Sequence, residues 1–506
     1  MTAALAYPVA VRADGARRSK DRRCLRRPGL RLLMRAHEAL LHRQTFVIES
    51  ALRRSEGLSA AGLGELRLAK LRRLVGHAAV RCPYYRQRHL PPAGSVTSLR
   101  DLSEMELLTR NDIRQFARRM CWANAPGRLL IGRTHATSDE PLAFFWNRHR
   151  QAWDKANRLR AHHWQGFAAG DRELHLWPLD PPHSWSARLK QWLRDQRDDL
   201  FSELQIDSLH ALNERLPLAW RAWREFDPVR VTAYPSALTQ FLADGRRVGC
   251  RIGNPSLQRV FLTGEVTFDW QRRFIERELG VPTIQDYGIQ EVGALAYACP
   301  YGSWHVSAES VIIEIIRHGR PAKPGEYGEV VATALESLAM PVLRYCTGDI
   351  VRIPENWGAA ADATAGPLDD TDNHPFPRPA CRCGRALPIM PPVLGRAADF
   401  LQSASGTWVE PARVLDALGE VLERGAFQVV QARDGSIEVR VAGPATQAGG
   451  QRLALNWEHA VQQRLEHLVG AGVRCVARRV PSLSRSLFGK CRYVSSELSI
   501  GGLARP

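Results

Sequence analysis

The sequence predicts an α/β protein, with a large N-terminal domain of mixed sheets and flanking helices and a small α+β domain behind it. Three observations predict it. From Val260 to Glu291 a short apolar strand, an amphipathic helix and a second strand follow one another, the pattern of a strand–helix–strand unit. From Leu295 to Thr333 the apolar residues fall into short runs separated by turn residues, which reads as successive strands. After Arg396 a second, shorter alternation of strands and a helix begins.

Composition bounds the rest. At 506 residues the chain has room for more than one domain and a sizeable core. No apolar run approaches the ~18 residues of a membrane span. The N-terminal stretch places its apolar residues ahead of its positive charge, the reverse of a secretory signal, so a cytoplasmic protein is expected. The net charge is +18, yet only six of the 70 basic residues are Lys and the Arg residues are spread along the chain. With no nucleic-acid module recognisable, nucleic acid is not expected as a partner, and the charge favours anionic ligands. The ten Cys lie far apart, which points to metal ligands or free thiols rather than disulfides.

In chain order, residues 1–36 read as an Arg-rich, loosely ordered extension, with membrane or partner contact as the sharper alternative. The large domain spans 37–396. Helical patterns cover His37 to Ser55 and Leu63 to Ala79, and residues 182–226, rich in Trp, Arg and Leu, also read as helices. A strand from Val229 to Thr232 leads to Pro235-Ser236, a helix start. The central strand, Val260 to Leu262, ends at Gly264 and Glu265. Its helix, Phe268 to Leu279, puts Phe274, Ile275 and Leu279 on one face, and the next strand delivers Asp286, Tyr287, Gly288 and Glu291. Open α/β sheets bind ligands at this carboxyl edge. Strands follow at Leu295 to Ala298, His305 to Val306, Val311 to Ile316 and Glu329 to Thr333. Residues 355–380 form a Pro/Ala/Asp-rich surface insertion. The small domain, 397–506, holds strands near Phe427, Ile437 and Val473 and a helix from about Arg452 to Leu468.

Several of these segments also carry a resemblance. YGIQE (Tyr287 to Glu291) resembles the YGxTE signature of adenylate-forming enzymes, preceded by LTGE (Leu262 to Glu265). AMPVLRYCTGD (Ala339 to Asp349), CRCGR (Cys381 to Arg385) and GRAADF (Gly395 to Phe400) follow in the expected order. Over most of its length the chain is similar to the phenylacetate–CoA ligase branch, which includes capsular-polysaccharide-cluster proteins and deazaflavin-coenzyme adenylyltransferases. The resemblance implies a large adenylate-forming domain, a small mobile C-terminal domain, and ATP-dependent adenylation of a carboxylic acid. An aromatic acid is one candidate, and thioester formation with CoA or a carrier thiol would follow.

It also implies roles. Glu291 would hold Mg²⁺, which takes few protein ligands. Tyr287 would flank the adenine, with Gly264, Glu265, Asp286 and Gly288 around the nucleotide, and Asp349, at the end of RYCTGD and following a strand, would accept from the ribose hydroxyls. Arg396 would stand near the phosphates or ribose, Asp399 would act as the hinge, and Lys490 would bridge carboxylate and α-phosphate as a point charge delivered by domain closure. Residues 132–146 stand where the family has its phosphate loop. Thr134, Thr137 and Ser138 keep its hydroxyls, but Ala136 and Asp139 replace its glycines and His135 replaces a small residue. Such loops work through closely approaching backbone N–H groups, and an Asp beside a triphosphate is repulsive. Two alternatives therefore stay open, a non-catalytic binding or assembly component and AMP transfer to a deazaflavin-type coenzyme. A homodimer is also compatible with the sequence.

A second constellation is Cys299, His305, Cys381 and Cys383. Three sulfurs and one imidazole suit tetrahedral zinc with no open position, so a structural zinc is expected. Cys346, between Tyr345 and Thr347, reads as a core residue.

Overall fold

The computed structural model describes residues 27–88, 90–133, 142–179, 184–208, 216–250, 253–357, 381–443, 456–484, 490–498 and 503–504. Two compact units divide the chain, and neither is continuous. One comprises Met1–Phe46, Ala161–Asp286 and Phe488–Lys490; the other comprises Val47–Arg160, Tyr287–Leu487 and Cys491–Pro506. Two strands of the second unit, β1 (Leu130–Arg133) and β2 (Ala143–Trp146), form an antiparallel hairpin.

In the first unit β3 (Glu173–Trp177), β4 (Glu203–Asp207), β5 (Arg230–Ala233), β6 (Arg259–Leu262) and the start of β7 (Thr283–Ile289) pair in parallel, in the order β4-β3-β5-β6-β7. Strands β3, β5 and β6 are buried along nearly their whole length, as strands covered on both faces are. Leu174, Leu176, Val231, Val260 and Leu262 pack with Trp220, Trp223, Phe241 and Ile275 in one core. The last four come from the helices Leu216–Phe226, Pro235–Arg247 and Asp269–Leu279. Gly280 ends the last helix in the left-handed region at φ 70°, a conformation glycine adopts without steric cost. The strand–helix–strand reading of the central stretch therefore holds.

In the second unit β8 (Gly293–Ala298), β9 (Trp304–Val306), β10 (Val311–Arg317), β11 (Arg320–Pro321), β12 (Tyr327–Ala334), β13 (Val342–Arg352), β14 (Ile389–Met390) and β15 (Val393–Arg396) are antiparallel to their neighbours. The larger group runs β11-β10-β12-β13-β15. Behind it come the hairpin β16 (Leu401–Gln402) and β17 (Trp408–Val409), then β18 (Phe427–Gln431), β19 (Ile437–Ala442), β20 (Cys475–Val480) and β21 (Val494–Ser496) in the order β20-β19-β18-β21. Residues after Arg396, apart from Phe488–Lys490, fall in the same unit as β8–β15. Leu503 is buried with Ile350 and Phe400, and Ala504 donates its N–H to Glu329 Oε2 at 3.1 Å.

Three expectations are corrected. The segment 182–226 is not all helical: Glu203–Asp207 is strand β4. Its polar–apolar alternation fits an edge strand that pairs on one side only. A helix occupies Arg27–Leu40, so the Arg-rich stretch is ordered at its end; Leu30 and Met34, one turn apart, are the buried anchors. Asp349 does not follow a strand but lies within the eleven residues of β13.

Candidate active site and metal centre

The turn carrying Glu291 is built by groups no motif names. The helix Arg148–Trp164 supplies Arg150, buried, which donates to the carbonyls of Glu291 (2.8 Å) and Gln290. One helical turn on, Asp154 Oδ2 lies 3.7 Å from Arg150 Nε, and Asp154 Oδ1 accepts from the Ala294 N–H at 3.2 Å. A Cβ at Gly293, where φ is +111°, would collide with that carboxylate, so the glycine closing the motif is required by close approach. Glu291 itself is buried, and its Oε1 accepts from the Tyr345 hydroxyl at 3.2 Å and lies 3.5 Å from Arg110 Nη1.

Asp349 is aimed by a bulge. The β12–β13 register passes from Val331↔Cys346 to Glu329↔Ile350, so Thr347, Gly348 and Asp349 bow out of the ladder. The Thr347 hydroxyl donates to Val330 O and accepts from Asp349 N–H, and Gly348, at φ +78°, donates to Glu329 Oε1 at 3.0 Å. The Asp349 carboxylate then accepts from the Tyr287 hydroxyl at 2.7 Å and lies 3.4 Å from Arg396 Nε. Burial raises the pKa of Asp349 against the opposing pull of Arg396, and raises that of Tyr287 far above its usual value, with Asp349 adding to the effect. Arg396 also feels Asp399 and Glu291. One polar cluster thus joins Glu291, Tyr345, Asp349, Tyr287 and Arg396.

Asp399 follows in the same turn. Its Oδ2 accepts the Arg396 N–H at 2.8 Å and its Oδ1 accepts from Arg492 Nε at 2.6 Å. Gly288 is exposed beside this cluster in sequence, and Asp286 is half-buried at the end of the first unit's share of β7.

Within the first unit, Gly264 and Glu265 follow β6. Glu265 accepts from both the N–H (3.0 Å) and the hydroxyl (2.9 Å) of Ser236, at the start of the helix Pro235–Arg247. An anion there satisfies orphan N–H groups and the helix dipole. Lys490 Nζ donates to Gly264 O at 2.6 Å and stands 4.6 Å from the centre of the Tyr234 ring. Burial, with Glu265 second, pushes the Tyr234 hydroxyl up to about 12. Thr134, Thr137 and Ser138 lie outside the described residues; their segment connects β1 to β2.

The four metal-ligating candidates do converge. One ligand atom from each of Cys299, His305, Cys381 and Cys383 lies within 4.8 Å of every other. Two turns present the three cysteines, Cys299–Gly302 and Cys381–Gly384, each closed by a glycine N–H donating to the first Cys carbonyl, with φ of +82° and +73°. Pairing of β9 with β14 sets His305 opposite Ile389 and ties the two turns together. His305 Nδ1 lies 3.1 Å from Leu387 O and Nε2 lies 3.1 Å from Cys383 Sγ. That carbonyl fixes the tautomer that offers Nε2 to a metal. Burial holds His305 down at about 4, hence neutral. Burial pushes the Cys299 thiol up to about 11, whereas at Cys381 bonds from Ser303 and Cys383 overcome burial and lower it. A metal binds neutral imidazole and thiolates, and this set of three sulfurs and one imidazole fits zinc. Cys346 is half-buried beside Ile316 and Val331, the core position expected.

No family model matches the chain. Phenylacetate-coenzyme A ligase of Thermus thermophilus is 27% identical over 297 residues, which is 54% of this chain and 61% of that protein. The Escherichia coli enzyme of the same name is 29% identical over 137 residues, 26% of this chain and 31% of that one. The alignments thus span less than two thirds of these curated relatives. Among solved structures, 2-hydroxyisobutyryl-CoA ligase in the postadenylation state superposes with a TM-score of 0.67 at 17% identity, covering 88% of this chain and 92% of that one. This chain has the fold of the adenylate-forming CoA ligases. Within that fold, its relatives by sequence are phenylacetate–CoA ligases, the branch its motifs resemble.

Of the residues that matter to this site, sequence reasoning passed over Arg110, Arg150 and Tyr345. Tyr345 stands in a segment already singled out. Arg110 and Arg150 lie in helices outside the quoted motifs, and an Arg in so Arg-rich a chain gives no local signal.

Proposed function

We propose that the protein is an ATP-dependent acid–thiol ligase. It adenylates a carboxylic acid and then passes the acyl group to the thiol of CoA or a carrier protein. The observation that carries this reading is the joined cluster of Glu291, Asp349 and Arg396: two carboxylates of different character, held by residues far apart in sequence. Asp349, anchored on Tyr287 and flanked by Arg396, suits bonds from a ribose diol. Glu291 offers a carboxylate to Mg²⁺, which would offset phosphate charge. Lys490, a compact cation on a flexible stem, suits charge developing at the α-phosphate. Cys299, His305, Cys381 and Cys383 would hold a structural zinc with no catalytic duty, because four protein ligands leave no open position. In this reading the protein is cytoplasmic; no described helix is long and apolar enough to cross a membrane.

The test is pyrophosphate exchange with a panel of carboxylic acids, aromatic ones included. Lys490→Ala is expected to lower exchange about a hundredfold or more with the fold intact. Unchanged exchange in that variant would remove the assignment. One observation favours a second reading: the 134–141 segment lacks the glycines a phosphate cradle uses. A binding component without turnover would give no exchange with any acid and no heat on titration with Mg·ATP. AMP transfer to a phenolic coenzyme would give AMP incorporation without thioester.

A further inference from the structure

An amphipathic helix on a globular protein normally turns its apolar face inward. Two helices of the first unit also leave apolar side chains facing outward. In Trp185–Leu200 the buried side chain is Asp198, which accepts from Arg197 and, at 2.8 Å, from Gln205 of β4. Trp185, Leu189, Trp192 and Leu193, spaced to share one face, are instead exposed, Trp185 by 78%. In Arg27–Leu40, Leu30, Met34 and Glu38 face inward while Leu32 (69% exposed), Leu33 and Leu40 (79% exposed) face out. The helices approach at one end, where the His37 and Phe201 rings lie 5.2 Å apart.

Cations border both stripes. Arg31 and Arg35 stand exposed on the first helix; Arg188, Lys190 and Arg194 stand exposed on the second. A second copy of this chain is a poor cover, since each copy carries +18 and like charges would repel. An exposed apolar stripe with tryptophan, bordered by arginine and lysine, suits the boundary between headgroups and acyl chains of an anionic bilayer.

We propose that these two helices dock the protein on an anionic phospholipid surface, lying in its plane without spanning it. The surface uses none of the nucleotide or metal residues, so its test leaves the ligase reading untouched. The full-length protein is floated with vesicles of phosphatidylcholine alone and with an equal mixture of phosphatidylcholine and phosphatidylglycerol. Binding is expected to the mixed vesicles, with a blue shift of tryptophan fluorescence, and to fall steeply with added salt. The variants W185S/W192S and L32S/L33S should each lower partitioning about tenfold or more, and R188Q/K190Q/R194Q should do so for the anionic vesicles. All three alter exposed side chains, and unchanged pyrophosphate exchange and circular dichroism would show them folded. The proposal is overturned if the mixed vesicles do not bind, if the folded variants bind as the parent does, or if the substitutions abolish a dimer rather than lipid binding.

Discussion

The metal cluster and the carboxylate cluster of the second unit are both assembled from distant segments, yet they are finished in opposite ways. Cys299, His305, Cys381 and Cys383 need little beyond themselves. Two glycine-closed turns and one strand pairing bring their ligand atoms within 4.8 Å. Nearly every residue of the site is also a residue of the pattern. Around Glu291 the motif residues do not suffice, and Arg110, Arg150 and Asp154, from outside the motifs, hold that turn in place. The difference follows from charge. A sulfur–imidazole set awaits a cation that satisfies it, whereas a buried carboxylate must be partnered by the protein itself.

The sharpest way to break this comparison is at the metal. Cys383→Ser, or exhaustive chelation, is expected to release zinc from a stoichiometric site and to lower Tm on the order of 10 °C, since metal binding free energy is folding free energy. Less than one zinc per chain in the supplemented protein would end the idea of a structural site. Next comes Asp349→Asn. Because burial raises the Asp349 pKa, its ionised form costs stability above the folded pKa, and the cost fades as pH falls and the carboxyl protonates. The Asn variant should therefore match or exceed the parent in Tm at pH 7, with that advantage shrinking in acid. Its Mg·ATP affinity should fall about tenfold for the lost charge-assisted bonds. A lower Tm with unchanged affinity would make the residue structural. The smallest effect is expected from Tyr345→Phe, which removes one hydroxyl from Glu291 and should cost about 1 kcal/mol, read as a few-fold change in exchange rate. A collapse of the fold would instead show that this hydroxyl belongs to the core.

How much was legible follows the same division. The strand–helix–strand unit around Val260–Ile289 was readable because its apolar periodicity is local. So was the grouping of Cys299, His305, Cys381 and Cys383, whose ligand atoms converge, because thiols and imidazoles have few roles. Strand β4 was not, since Glu203–Asp207 is recognisable only once β3 is beside it. Nor was the bulge at Thr347–Asp349, which exists only in the register between β12 and β13. The outward stripes of Trp185–Leu200 and Arg27–Leu40 also escaped notice, because periodicity gives the faces of a helix but not which one meets the body.

The sequence by itself determined the strand–helix–strand core, the order of the motifs and the chemistry of the Cys/His cluster, since these depend on side-chain type and on spacing along the chain. Only the tertiary structure decided that Arg110 and Tyr345 attend Glu291, that Tyr287 bonds Asp349, and that Glu265 caps the helix from Pro235. The physical reason is that the partner of a buried charge is chosen by distance in space, at ranges of a few ångströms, and no periodicity along the chain encodes that distance.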